Sequence, residues 1–139
     1  MVRYLIASRV PIADVLFIVA FLQGIDYLLR PAESTALLNA VEAIVPLRGW
    51  GVLFTVPGLL GFIAIRRRGW KLASICHAAL VGAYAGVGIG IILSVVHAQQ
   101  VWGWGPAALW LATACAHCLF ALVDVWREDL LSRHVRPLR

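Results

Sequence analysis

The chain has 139 residues, of which 62% are apolar and only 14% charged, and its mean hydropathy is +0.87. A soluble domain carries about 45–50% apolar and about 25% charged residues, and this length makes one domain, so the apolar excess has no second core to fill. A soluble enzyme and a disordered chain are excluded as readings, the bilayer is the natural solvent, and the formal charge of +5 has to be placed around it.

Four apolar runs follow in chain order. Val10 to Leu29 reaches about 30 Å as a helix, one hydrocarbon core. It follows Arg3 and Arg9 with no small-x-small site close behind, so it reads as a retained signal-anchor rather than a cleaved leader. Gly49 to Ile65 reaches about 26 Å, near the lower limit for a span. Leu72 to Val96 reaches about 38 Å, which implies tilt or a protruding end. Pro106 to Trp126 spans comfortably, and Pro106 suits a first helical turn because its missing N–H has no partner there. The expected fold is therefore all-α. It is a single polytopic membrane domain, a bundle of four transmembrane helices over 10–29, 49–65, 72–96 and 106–126, with a basic tail over 127–139.

The links differ in kind. Residues 66–71 form a tight basic hairpin, and 98–105 is short, with Trp102 and Trp104 as interface anchors. Between Arg30 and Arg48, Ser34 or Thr35 can cap a helix in which Leu37, Leu38, Val41, Ile44 and Val45 share one face before Pro46 ends it. This predicts a short amphipathic helix, lying on the outer leaflet or packed over the outer mouth of the bundle.

Ten of the twelve basic residues abut apolar runs: Arg3 and Arg9; Arg66, Arg67, Arg68 and Lys71; Arg127, Arg133, Arg136 and Arg139. Only Arg30 and Arg48 fall on the other side. The positive-inside rule then puts both termini and the 66–71 hairpin in the cytoplasm of a bacterium, with the helices in its inner membrane. Anionic lipid headgroups are the expected partner of Arg66, Arg67, Arg68 and Lys71, nucleic acid is not, and a cytoplasmic protein could use the same face.

In the third run, Ser74, Ala78, Gly82, Gly86, Gly90 and Ser94 recur every four residues. Such a strip lets another backbone approach closely. Two uses are open, packing against neighbouring helices of the same chain and a face for homo-oligomer assembly. Ala108, Ala112 and Ala116 form a weaker counterpart in the fourth run.

Ionisable groups inside the runs are costly in lipid and mark candidate sites. Asp14 and Asp124 fall near the cytoplasmic interface, where Arg9 and Arg127 can pair with them. Asp26 precedes Arg30 by one turn near the outer end, and Gln23, Asp26 and His97 could form an outer polar cluster. His77 and His117 lie at roughly 8 and 13 Å depth, counted at 1.5 Å per residue. Cys76, Cys115 and Cys118 lie at comparable levels, but all five splay around their helices. No metal site or other cofactor is expected, and the histidines are expected to bond or pack against a neighbouring helix. Pro57 interrupts the second run, and Thr55 is placed to satisfy the carbonyl that proline leaves free. No Ser/His/Asp set, phosphate loop or usable pair of carboxylates is present, so no enzymatic activity is expected. The glycines of Gly86-Val87-Gly88-Ile89-Gly90 lie in mid-membrane with no strand before them.

The stretch from Trp50-Gly51-Val52-Leu53-Phe54 through Arg68, with Val41-Glu42 and Pro46-Leu47 ahead of it, resembles a loose class of small four-span proteins of actinobacterial phages and prophages. So does the stretch from His77-Ala78-Ala79-Leu80 through Gly90. The resemblance implies a non-enzymatic, self-associating membrane protein, holin-like with its charged tail, or a prophage exclusion or defence protein acting with a cytoplasmic partner. The chain is also similar to small multidrug transporters in its span number and in Asp14 on the first helix. It departs from them in residue type, depth and loop length. That similarity implies a small proton-coupled transporter.

The orientation gives a direct test. With the three cysteines replaced by serine and Arg67→Cys introduced, a membrane-impermeant maleimide should label inside-out vesicles and spare intact cells; labelling of intact cells would reverse the topology.

Overall fold

The structure, a computed structural model, describes residues 10–29, 41, 42, 45–99 and 104–134. Among these it is all helical: α1 spans Val10–Leu29, α2 Leu47–Arg66, α3 Trp70–His97 and α4 Trp104–His134. All four are long and apolar enough to cross a membrane. In an apolar medium a helix is the element that satisfies its own backbone donors and acceptors. The expected helices are found, α1 with the expected bounds and the other three with longer ends. α4 continues through the start of the basic tail to His134, because nothing in Arg127-Glu128-Asp129 breaks a helix. α2 begins directly after Pro46 and runs as one helix through Pro57. Thr55 does not serve the carbonyl freed by that proline: its Oγ1 is buried without a hydrogen-bond partner.

The amphipathic helix expected between Arg30 and Arg48 falls mostly outside the described residues and is not evident. Its described part, Val41, is 1% exposed. Trp50 Nε1 donates to the Val41 carbonyl at 3.2 Å, so this point of the link lies against the bundle.

Successive helices pack as neighbours, α1 on α2, α2 on α3 and α3 on α4. Between α2 and α3 the chain reverses in Arg67-Arg68-Gly69, where the amides of Arg67, Arg68 and Gly69 donate back to Ile63, Ile65 and Ala64. Arg68 takes a left-handed φ of 57°, which costs a non-glycine residue roughly 1–2 kcal/mol. The outward surface is apolar, with Ile12, Val15, Leu22, Leu53, Leu109, Leu119 and Leu122 among the exposed side chains. The inward stripe of α1 is Ala13, Phe17, Ala20, Gly24 and Tyr27, at alternating three- and four-residue steps.

The small-residue strip of α3 is divided among several surroundings. A four-residue step advances about 40° beyond a full turn, so the strip winds around the helix. Ser74 Oγ donates to the Ala121 carbonyl of α4 at 3.1 Å. Ala78 is exposed, and a Cβ at Gly82 would meet nothing within 4 Å. At Gly86 it would meet the Trp50 ring at 2.7 Å, and at Gly90 the side chain of Val41. Ser94 Oγ bonds to the Gly90 carbonyl of its own helix at 3.0 Å. Of the α4 counterpart, Ala108 and Ala112 are exposed. The closest backbone approach lies elsewhere, between α1 and α2. A Cβ on Gly58 would stand 2.7 Å from the Phe21 amide nitrogen and 3.0 Å from the Phe17 carbonyl. Gly24 abuts Thr55, Gly51 abuts Leu28, and Gly61 abuts the Phe17 ring. Gly51, Gly58 and Gly61, spaced seven and three apart, are one face of α2.

Because the atoms facing Gly58 are backbone and cannot swing away, Gly58→Ala should destabilise the bundle by about 1–3 kcal/mol. Gly82→Ala should be neutral or slightly stabilising. Unfolding in mixed detergent micelles reads both, and equal effects would contradict this packing.

Candidate functional site

The buried polar residues of the described chain are Asp14, His77, His117 and Asp124. All four lie toward the end of the bundle that carries the 66–71 turn, here called the basic end. His77 and His117 are 0% exposed. Their Nδ1 atoms lie 2.7 Å apart, a hydrogen-bond distance that joins α3 to α4. His77 Nε2 stands 4.0 Å from Asp124 Oδ2, and Asp124 Oδ1 stands 3.7 Å from Arg127 Nη1. The Arg127 guanidinium lies over the Trp70 ring, 4.8 Å from its centroid, which fixes the cation at the basic end.

Aromatic rings enclose the imidazoles. Phe17 of α1 stacks on His77 at 4.1 Å between centroids, and Phe120 of α4 covers it at 5.5 Å. Tyr84 stacks on His117 at 5.3 Å. Beyond Tyr84, away from the basic end, come Trp110 at 5.2 Å and Phe54 at 4.8 Å, with Tyr27 against both. Within this enclosure His77 Nε2, His117 Nε2, the Tyr84 hydroxyl and Asp124 Oδ2 have no hydrogen-bond partner among the described residues. A buried polar atom left unmatched costs roughly 1–3 kcal/mol. The centre thus carries a cost that close packing alone does not require. What it can do chemically is accept, hold and pass a proton, since each of its members has both a protonated and a deprotonated form.

The other expected residues fall around this centre. Asp14 is bonded to Arg66 Nη2 of α2 at 2.7 Å; Arg9, its expected partner, is outside the described residues. Asp124 has its expected neighbour Arg127. Lys71 pairs with Glu128 at 3.3 Å, while Arg67 and Arg68 are exposed at the turn. At the opposite end Gln23 is half-buried, and Asp26 and His97 are exposed, so these three do not make a second buried centre. Cys76 is buried and Cys115 and Cys118 are exposed. The five Cys and His residues therefore part company, as their splay requires. Among the described residues no group of three or more His, Cys, Asp or Glu is placed to hold a metal ion.

The contribution of Phe17, Tyr84 and Phe120 to the centre was not anticipated from the residue pattern. A signal was present: His77 and Tyr84, and likewise Trp110, His117 and Asp124, are seven residues apart, two turns along one face of their helices. No family model, curated protein or solved structure matches this chain.

The Asp14–Arg66 bond yields its own test. The Asp14 side chain is 9% exposed, so Arg66→Gln strands a buried carboxylate and should destabilise by about 1–3 kcal/mol. Asp14→Asn added to Arg66→Gln should recover much of that loss in the same unfolding measurement. Additive losses would mean the pair is not coupled.

Proposed function

We propose that this chain is a non-enzymatic integral protein of the bacterial inner membrane, with the basic end in the cytoplasm, that carries protons through the centre formed by His77, His117 and Asp124. The observation behind it is the 2.7 Å contact between two fully buried imidazoles, with a carboxylate 4.0 Å further toward the basic end. Ionisable groups at membrane depth cost about 2.5–3.5 kcal/mol each at a helix centre for the charged residue types. They line proton routes where they adjoin one another. Arg66, Arg67, Arg68 and Lys71 hold the cytoplasmic end at anionic headgroups. This reading belongs with the proton-coupled transporter class, with its working residues on α3 and α4 and not at Asp14, whose carboxylate is engaged by Arg66.

A second reading is lateral self-association of a holin-like kind. Ala78 and Gly82 favour it, since both face outward and Gly82 has open space before it. Gly86 and Gly90 do not serve it, because Trp50 and Val41 occupy their approach.

One experiment decides between them. The chain is reconstituted into vesicles containing anionic phospholipid, with a pH-reporting dye in one batch and calcein in another. A pH step is applied with potassium and valinomycin clamping the potential. Proton entry should exceed that of empty vesicles and fall to the empty-vesicle rate in His117→Gln and Asp124→Asn, while calcein stays inside. Equal proton entry in the wild type and both variants would defeat the proton reading. Calcein release that Gly82→Leu abolishes would establish the second.

A further inference from the structure

We infer that the two imidazoles rest in unlike tautomers, that His117 Nε2 is the atom that accepts the incoming proton, and that reorientation of the stacked rings limits each following passage. This rests on the proton-carrying reading above and deepens it.

The tautomers follow from geometry. Two nitrogens 2.7 Å apart must be one donor and one acceptor, since two lone pairs or two N–H groups would repel at that distance. The next atom along decides which is which. His77 Nε2 faces Asp124 Oδ2 at 4.0 Å, and Asp124 is itself beside Arg127 at 3.7 Å. A carboxylate attracts an N–H and repels a lone pair, so His77 carries its proton on Nε2. Its Nδ1 is then the acceptor, His117 donates from Nδ1, and His117 Nε2 is left as a lone pair. That atom is buried and has no hydrogen-bond partner among the described residues.

The other ionisable groups on the elements packed here do not alter this order. α1 brings Asp14, one turn toward the basic end from Phe17, and α2 brings Arg66, the two bonded to each other. α3 brings Cys76 and Tyr84; Tyr84 meets His117 through its ring face. α4 brings Arg127, already beside Asp124.

The passage balances atom by atom. An incoming proton bonds to His117 Nε2. The His117 Nδ1–H bond breaks as a bond to His77 Nδ1 forms. The His77 Nε2–H bond breaks and an Asp124 Oδ2–H bond forms, once the 4.0 Å separation closes by about 1 Å to hydrogen-bond range. Asp124 then releases its proton to water at the basic end. One proton enters, one leaves, and no electrons change hands.

Both rings end neutral but inverted: His117 now holds its proton on Nε2, and the His77 Nε2 lone pair faces a carboxylate. That repulsion disfavours this state, and His117 cannot accept again until both rings have turned about both side-chain torsions far enough for Nδ1 and Nε2 to exchange places along the path. Turning is hindered, because His77 lies between Phe17 at 4.1 Å and Phe120 at 5.5 Å, and His117 lies on Tyr84 at 5.3 Å. Proton entry should therefore show a burst of one proton per chain followed by a slower steady phase.

Nitrogen-15 spectra of histidine-labelled protein in nanodiscs test the resting state, with His77→Gln and His117→Gln used for assignment. His77 should be protonated on Nε2 and His117 on Nδ1, in at least about tenfold excess, as expected for a charge at this separation. Asp124→Asn should abolish that excess. The reverse assignment, or a bias indifferent to Asp124→Asn, overturns the inference. Rapid-mixing proton entry tests the pace. Phe120→Leu should speed the steady phase several-fold and leave the burst, and a single-phase time course in the wild type overturns the rate-limiting turn. Flux without unlike tautomers sinks this inference and leaves the proposed function standing. Unlike tautomers without flux sink the function.

Discussion

The hydrogen bond between His77 and His117 is where the half of the bundle toward the basic end is organised. It fixes the relative height of α3 and α4, because a bond of 2.7 Å tolerates little sliding. The Ser74 hydroxyl on the Ala121 carbonyl and the Lys71–Glu128 pair follow in the same antiparallel register toward the basic end. α1 is drawn to the same point through Phe17, which stacks on His77 while its carbonyl stands close to Gly58 of α2. One side chain thus ties three helices to the polar centre. An apolar pair in place of the two imidazoles could fill that space but would not specify a register, since dispersion is indifferent to a one-turn slip.

The two helix pairs solve different packing problems. α1 and α2 approach backbone to backbone, through Gly24, Gly51, Gly58 and Gly61, where van der Waals contact is densest. α3 and α4 meet around the polar centre through larger groups: the two histidines, Tyr84, Trp110 and Phe120. Close fit holds the middle of the first pair, with the Asp14–Arg66 bond at its basic end, while directional bonds run along the second. That is why the polar centre lies between α3 and α4. A gap wide enough for two rings is also wide enough for a hydroxyl and a carboxylate, whereas the α1–α2 contact leaves Thr55 Oγ1 buried with no partner.

Much of the architecture was legible in the sequence, because run length and hydropathy report directly on which segments a bilayer can accept. The turn at 66–71 was legible for the same reason, while the extension of α4 to His134 was not, because its residues are polar and hydropathy says nothing of them. The site was legible only in part. His77 and His117 stood out as ionisable groups at membrane depth, and Asp124 as a group near one end, yet nothing in their spacing says that α3 and α4 are direct neighbours at that height. The strip from Ser74 to Ser94 packs within its own chain at Ser74, Gly86 and Gly90 and faces outward at Ala78 and Gly82 for a geometric reason: a repeat of four drifts around a helix of 3.6 residues per turn, so its members cannot all meet one partner. The repeat that does hold a face is the combination of three and four. Gly51, Gly58 and Gly61 follow it, but less conspicuously than an unbroken series of small residues.

The two ends of the centre differ in polarity. Toward the basic end the buried groups become progressively more polar, from His117 to His77 to Asp124 to Arg127. Toward the other end they become aromatic, with Tyr84 leading to Trp110, Phe54 and Tyr27. Among these rings, packed at 4.8–6.4 Å, the protic groups are the hydroxyls of Tyr27 and Tyr84 and the Trp110 indole N–H. A charge arriving at the histidines is therefore stabilised from one side only, by Asp124, and the Coulomb attraction grows as the charge moves from His117 to His77. On the proton-carrying reading, this asymmetry would set where a crossing proton is slowed, in the aromatic half, and not which way it moves, because a static profile gives no net direction and only a proton gradient or a membrane potential supplies one.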